Sequence, residues 1–437
     1  MPIRSIMRSF AHRNFRLFFI GQGISLVGTL MQNTALPWLV LERTHSKEWL
    51  GWVAFVGQFP SVFAAPLAGV AADYFRKRNL LLITQALAMG QAFVLAVLTL
   101  TNQIQMWQIL VLNSILAIVN GFDLTTRQSF LYEMVDDKED LGNAIALNSS
   151  VFNTARLIGP AIAGLIIAAF GEGECFLLNA FSFLTVLIAL WAMRVPVQRL
   201  SKGNGRVWRQ LREGVEFALA SFPIRSLFLL VALISFFGVP YIVLIPVYVQ
   251  DALQADVRWN GWLLSAGGLG ALTAGLLLAS RHSIRGIVRG LPFAPVLTGL
   301  AFLGLSLVSE RALAIPLVYL TGFSIVALLT SCNTTIQTLV DDDKRGRVIG
   351  LYAVLLLGLA PLGNLVACQF AAWFGIQRTL QTGGVVCLLG GAAFLVLLAQ
   401  PLVQHIQEHF GPRKAGKNGA ETLNAETALT VDTPAAE

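Results

Sequence analysis

Twelve apolar stretches, each about 20 residues or longer and separated by mostly short polar turns, leave this chain few ways to fold. They run near 17–41, 50–72, 79–101, 106–130, 141–170, 174–193, 223–250, 259–280, 286–308, 312–339, 346–374 and 379–402. About 20 helical residues cross the hydrocarbon layer of a bilayer, so each stretch is a candidate membrane span. The fifth and eleventh are long enough to tilt or to protrude. Proline recurs within the stretches, at Pro37, Pro60, Pro66, Pro160, Pro240, Pro246, Pro316 and Pro361. Membrane helices tolerate this when neighbouring helices satisfy the freed backbone groups. With 55% hydrophobic and 13% charged residues over 437 positions, a soluble globular fold is excluded. The expectation is an all-α membrane protein. The apolar run after Arg16 is too long for a signal-peptide core, so it is read as the first span.

The spans divide six and six. Residues 1–193 form an N-terminal six-helix half, 194–222 a linker, 223–402 a C-terminal six-helix half, and 403–437 a polar tail expected to be disordered. Within the linker, Val207, Trp208, Leu211 and Val215 recur at helical spacing among charged neighbours. An amphipathic helix on the membrane surface follows, whether it binds lipid or simply tethers the halves. The halves also echo each other. Thr125-Thr126-Arg127-Gln128 followed by Val135-Asp136-Asp137 matches Thr334-Thr335-Ile336-Gln337 followed by Val340-Asp341-Asp342, and each leads into a long span ending Phe-Gly. Two pseudo-symmetric halves are expected.

Orientation follows from Lys and Arg. With a cytoplasmic N-terminus, 25 of the 31 Lys and Arg fall on the cytoplasmic side. The opposite side has only Arg43, Lys47, Arg258, Arg311 and Arg378, and Arg156 lies within the fifth span. Both termini are therefore expected in the cytoplasm. This one-sided distribution, rather than a nucleic-acid partner, accounts for the formal charge of +7.

Enzyme chemistry finds little support. The five histidines, His12, His45, His282, His405 and His409, lie in loops or tails, and no span carries two carboxylates. Cys175, Cys332, Cys368 and Cys387 are widely spaced with no CxxC, so neither a metal site nor a disulfide framework is implied. The segment Gly411–Lys417 approximates a phosphate-binding loop but lacks the closing hydroxyl and a preceding strand. No cofactor is expected.

Charges inside spans are costly and mark function by default. Asp123 lies in the fourth span, with Arg127 one turn further along the same face and able to pair with it. A protonatable coupling group and a static ion pair both fit this spacing. Arg156 has no sequence-near counterion and is expected to face a wet cavity, where it could attract a polar or anionic group or pair alternately with Asp123. The uncharged amides Gln32, Asn33, Gln58 and Asn333 are further candidates for substrate binding, although amides also join helices. With Trp38, Phe55, Phe59, Tyr241 and Tyr248 they describe a cavity suited to amphipathic molecules.

Between the second and third stretches lies Gly69-Val70-Ala71-Ala72-Asp73-Tyr74-Phe75-Arg76-Lys77-Arg78, one Asp followed by three packed cations. This turn resembles the loop signature of major facilitator transporters. So do Phe15-Arg16 with Gly28-Thr29, Asp123-x-x-x-Arg127-Gln128, Asn143-Ala144 with Leu147-Asn148-Ser149, Asn153-Thr154-Ala155-Arg156-Leu157-Ile158-Gly159-Pro160-Ala161-x-x-Gly164, and Arg345-Gly346-Arg347-Val348-x-Gly350. The chain is most similar to the branch holding enterobactin exporters and macrolide-efflux-type proteins. The resemblance implies the major facilitator fold and a secondary transporter of the bacterial inner membrane. It further implies efflux of an amphipathic small molecule, siderophore or drug, by alternating access in exchange for protons. A proton-independent uniporter or importer is the alternative. A monomer among membrane lipids is expected. Gly69, Asp73, Arg76, Lys77 and Arg78 would form the gate, with Asp73 shutting the inward side against the start of the eleventh helix and Lys77 or Arg78 reaching acidic groups near the fourth. The turn departs from the usual Asp-Arg-x-Gly-Arg-Arg pattern at Tyr74 and Arg76. The matching turn of the second half, Arg281-His282-Ser283-Ile284-Arg285, has no Asp.

Overall fold

The computed structural model describes residues 8–134, 140–193, 220–280 and 284–398, with isolated positions at 216, 218 and 401. The expected linker helix, the tail and part of the turn before the ninth span lie outside the described residues. Twelve helices are long and apolar enough to cross a membrane: Arg13–Thr44, Lys47–Ala72, Lys77–Leu100, Met106–Met134, Leu141–Phe170, Glu172–Ala192, Phe222–Asp251, Val257–Ala279, Gly286–Leu307, Arg311–Leu339, Lys344–Phe374 and Ile376–Leu397. They are numbered here as spans one to twelve. The protein is a multi-pass membrane protein, and among the described residues there is no strand.

Three spans are interrupted: the second, the seventh and the ninth, the last at Leu291–Pro292 between Ile284–Gly290 and Phe293–Leu307. The second splits into Lys47–Val56 and Pro60–Tyr74. Pro60 has no N–H to continue the ladder and opens the new segment at its first turn. Ser46 caps the first segment, its hydroxyl accepting from the Trp49 N–H. The seventh span runs as Phe222–Leu233, a π turn at Ile234–Gly238, and Tyr241–Asp251 with Pro240 at the junction. A π turn widens the helix by one residue per turn and re-aims the side chains beyond it.

Within each half the helices meet where glycine lets backbones approach. Gly121 of span four packs on Ala64 of span two, and Gly159 of span five on Leu30 of span one. In the second half Gly270 of span eight meets the Tyr319 carbonyl of span ten, and Gly363 of span eleven meets the Phe236 carbonyl of span seven. The neighbour pairs correspond under a six-span shift: two with four and eight with ten, three with six and nine with twelve, one with five and seven with eleven. This repeats the packing of one half in the other, as the sequence echo predicts. Small residues at such contacts are the usual means of joining helices in lipid, where no hydrophobic force brings them together.

The halves touch chiefly through two further pairs related in the same way, five with eight and eleven with two. Both contacts lie toward the end remote from the Asp73–Arg78 turn, called here the far end; the turn itself marks the basic end. Gly164 and Gly261 cross there, with Gly261 also against the Pro160 carbonyl. Gly51 packs on Leu365 and Cys368. Lys47 forms an ion pair with Asp251 at 2.6 Å and donates to the Ala371 carbonyl at 3.4 Å. At the basic end, by contrast, a Cβ at Gly69 of span two, or at Gly346 or Gly350 of span eleven, would meet nothing within 4 Å. The space between the halves is closed at the far end and open toward the basic end.

Candidate substrate and coupling sites

A cavity of about 320 Å³ lies between the halves, bounded by spans one, two and four on one side and seven and eight on the other. Its polar lining includes Asn33, Gln58, Asn113 and Asn120; Ile242, Pro246 and Leu264 complete the opposite wall. Asn33 and Gln58 are exposed and belong to this lining. Asn113 is committed otherwise, donating at 2.8 Å to the Val53 carbonyl just before the break in span two. Amides on one wall and aliphatic surface on the other suit a molecule that is itself amphipathic.

A second cavity of about 220 Å³ lies within the N-terminal half, among spans one, three, four and six. Leu116 and Asn120 line both cavities, so these two side chains separate them. Asp123 is buried here and pairs with Arg127, as the i,i+4 spacing requires. Its other oxygen, Oδ1, accepts from Gln85 Nε2 at 2.7 Å and from the Thr84 hydroxyl at 3.1 Å. The Thr84 hydroxyl also lies 3.0 Å from the Leu81 carbonyl, and a hydroxyl has a single proton to share between the two. Gln85 turns its amide N–H toward the carboxylate and leaves its Oε1 buried with no partner. That orientation serves an ionised Asp123.

Several expected binding residues do other work. Gln32 donates to Gln91 Oε1 at 3.2 Å and accepts from Asn179 Nδ2 at 2.8 Å, so both ends of its amide join spans three and six. It lines the inner cavity but has little left to offer a ligand. Asn333 accepts from Gln337 at 3.2 Å on its own helix and lines neither cavity. Arg156 lines neither of these two cavities. Its side chain hydrogen-bonds the buried Tyr241 of span seven, and its own carbonyl lies against Gly268 of span eight. A polar partner across the contact between halves replaces the carboxylate that the sequence lacks. Trp38 and Tyr248 are buried in packing, the latter donating to the Val308 carbonyl at 2.8 Å, and Phe55 and Phe59 stack on each other at 4.7 Å.

The gate residues are also divided. Lys77 reaches Glu133 of the fourth span at 2.6 Å. Arg78 donates to the Leu190 and Trp191 carbonyls at 2.7 and 2.8 Å, closing the end of span six. Arg76 is exposed, and Gly69 faces open space. The side chain of Asp73 lies outside what is described; on spans two and eleven a Cβ at Gly69, Gly346 or Gly350 would meet open space. Thr84, Gln85, Gln91 and Asn179 were not expected from sequence. Amides at 85 and 91 within an apolar third stretch were the available signal.

Two six-span halves enclosing a central cavity define a membrane transporter. The chain belongs to the transmembrane secretion effector family of major facilitator transporters, whose family model matches residues 4–413. It is 26% identical over 376 residues to the staphyloferrin A transporter of Staphylococcus aureus, covering 85% of this chain and 94% of that one. It is 28% identical over 388 residues to the multidrug efflux pump Tap of Mycolicibacterium fortuitum, covering 86% and 92%. Among solved structures, it superimposes on a bacterial homologue of the lysosomal transporter Spinster, inward-facing and unoccupied, with a TM-score of 0.69 at 14% identity, covering 90% of this chain and 98% of that one. Together with its bacterial relatives, the twelve spans make it a multi-pass protein of the bacterial plasma membrane.

Proposed function

We propose that the chain is a proton-coupled exporter of an amphipathic small molecule, siderophore or drug, working by alternating access with both termini in the cytoplasm. The observation that carries this reading is the pair of adjoining cavities: one between the halves and open at the basic end, the other holding a buried carboxylate. The positive-inside rule makes the basic end cytoplasmic, so substrate enters from the cytoplasm. Asn33, Gln58 and Asn120 are the groups offered to it. The two halves are assigned to 1–193 and 223–402, with 194–222 as the linker between them.

Asp123 is the coupling group. Ionised, it holds Arg127, Thr84 and Gln85. Protonated, it loses the charge that holds Arg127 and gains an O–H to donate. Rotation of the Gln85 amide would then present its unpartnered oxygen as acceptor. Proton uptake thus rearranges the wall beside Asn120, and the substrate cavity lies on the other side of that residue. Gly69, Asp73 and Lys77 would act in the reciprocal state, when the basic ends close.

The test is transport in proteoliposomes under an imposed pH gradient, with a fluorescent amphipathic drug and a ferric-free siderophore as probes. Asp123→Asn keeps the side chain's shape and should permit downhill exchange while losing accumulation driven by the gradient. Unchanged gradient-driven accumulation in that variant would remove Asp123 from coupling. Transport of neither probe class would overturn the substrate assignment.

A further inference from the structure

We infer that the membrane-facing groove between spans five, eight and ten is a binding site for a glycerophospholipid of the far-end leaflet. The groove encloses about 630 Å³ and is almost wholly apolar. Leu157, Ala161 and Leu165 of span five form one wall at successive helical turns, with Trp262 and Leu269 of span eight opposite and Ile315 of span ten at the side. Trp262, Leu165 and Leu269 are between 41% and 49% exposed, which on the flank of a membrane protein means exposure to lipid rather than to water. From Trp259 to Leu269 span eight advances about 15 Å, close to half the hydrocarbon thickness. The groove therefore has the depth of a single leaflet.

Its mouth supplies what a headgroup needs. Only five Lys or Arg residues fall in the far-end turns, and two of them adjoin the groove residue Trp259: Arg258 precedes it in the chain and Arg311 lies over its ring. Arg311 lies over the ring of Trp259, a groove residue, with its guanidinium carbon 6.0 Å from the ring centroid. It donates to the Leu253 and Gln254 carbonyls at 3.4 and 3.0 Å, which fixes the guanidinium in place and leaves further N–H groups free. Arg258 is more than half exposed, with Asp256 at 3.8 Å as its nearest anion. Guanidinium groups bind phosphate by paired, charge-assisted hydrogen bonds. Asp256 and Glu310 flank the site and make its charge mixed, so the phosphate rather than a net negative headgroup is the recognised element. The walls belong to opposite halves, and the groove runs beside the Gly164–Gly261 crossing. A chain lying in it would bridge the halves where they are closed.

Native mass spectrometry of the full-length protein in detergent tests this, with palmitoyl-oleoyl phosphatidylglycerol and the diacylglycerol of the same chains as probes. One Arg–phosphate contact is worth about tenfold or more in affinity. Wild-type protein should retain the phospholipid at about tenfold lower concentration than the diacylglycerol. Arg258→Gln with Arg311→Gln should abolish that preference and leave diacylglycerol binding intact. Ala161→Trp fills the groove and should weaken both. Equal retention of both lipids by the wild type, or an unchanged preference in the double arginine variant, would overturn the site; the arginines are exposed, so that variant carries the test if Ala161→Trp does not fold. If Ala161→Trp instead weakens binding of tetraphenylphosphonium and leaves phospholipid untouched, the groove is a drug portal and the proposal fails.

Discussion

Spans two and eleven meet at one end and part at the other, and the same residue type serves both conditions. Gly51 lies against Cys368 and Leu365, whereas Gly69, Gly346 and Gly350 on the same two helices face open space. A glycine in contact explains itself, because a side chain there would collide. In the alternating cycle proposed above, Gly69, Gly346 and Gly350 would come into contact when the basic ends close and the far ends separate. Spans five and eight repeat the far-end contact on the other side of the molecule. Under that proposal the glycines mark two sets of contacts, of which the far-end set is the one seen.

Substitutions can break this comparison. The largest effect is expected for Gly261→Leu, whose Cβ would lie 2.5 Å from the Pro160 carbonyl and 3.1 Å from Gly164 Cα. Overpacking of this kind costs about 1–3 kcal/mol, enough to shift the closed far end roughly 5- to 150-fold toward open. Spin-label distances across the far end should lengthen, and transport should fall in proportion. Tyr241→Phe comes next. It leaves the Arg156 guanidinium without its partner across the halves, a loss of about 1.5–3 kcal/mol for a charged hydrogen bond. The same distances should broaden without a change in helix content. Lys47→Gln should do less, about 0.2–1 kcal/mol, because the pair with Asp251 is part-exposed and screened by salt; a double-mutant cycle with Asp251→Asn measures the coupling. Gly69→Leu should leave the far-end distances unchanged and yet block turnover. If Gly69→Leu opened the far end, or Gly261→Leu left it closed, the two-set reading would be wrong.

Much of this was legible in the chain. Hydropathy located all twelve spans, and i,i+4 spacing paired Asp123 with Arg127. Each of these depends on residues close in sequence. The rest depends on how helices are turned against each other. Gln85 and Thr84 reach Asp123 from another helix, and no spacing within one chain segment gives that register. The partner of Arg156 was out of reach for the same reason. With no carboxylate near it in sequence, nothing local pointed to the phenol of Tyr241 on span seven. Lys47 was counted only as a far-side cation, because its ion pair with Asp251 joins residues more than two hundred positions apart.

At Gly164 and Gly261 the halves meet backbone to backbone, with no side chains interlocked. Such a joint has nothing to unthread. Parting it requires no rotamer changes and no withdrawal of a bulky group from a socket, and re-forming it requires no search for a fit. Two smooth surfaces held by weak, short-range attraction can separate and rejoin many times with little hysteresis. The cycle proposed above, which reverses at every turnover, would be well served by a latch that does not catch.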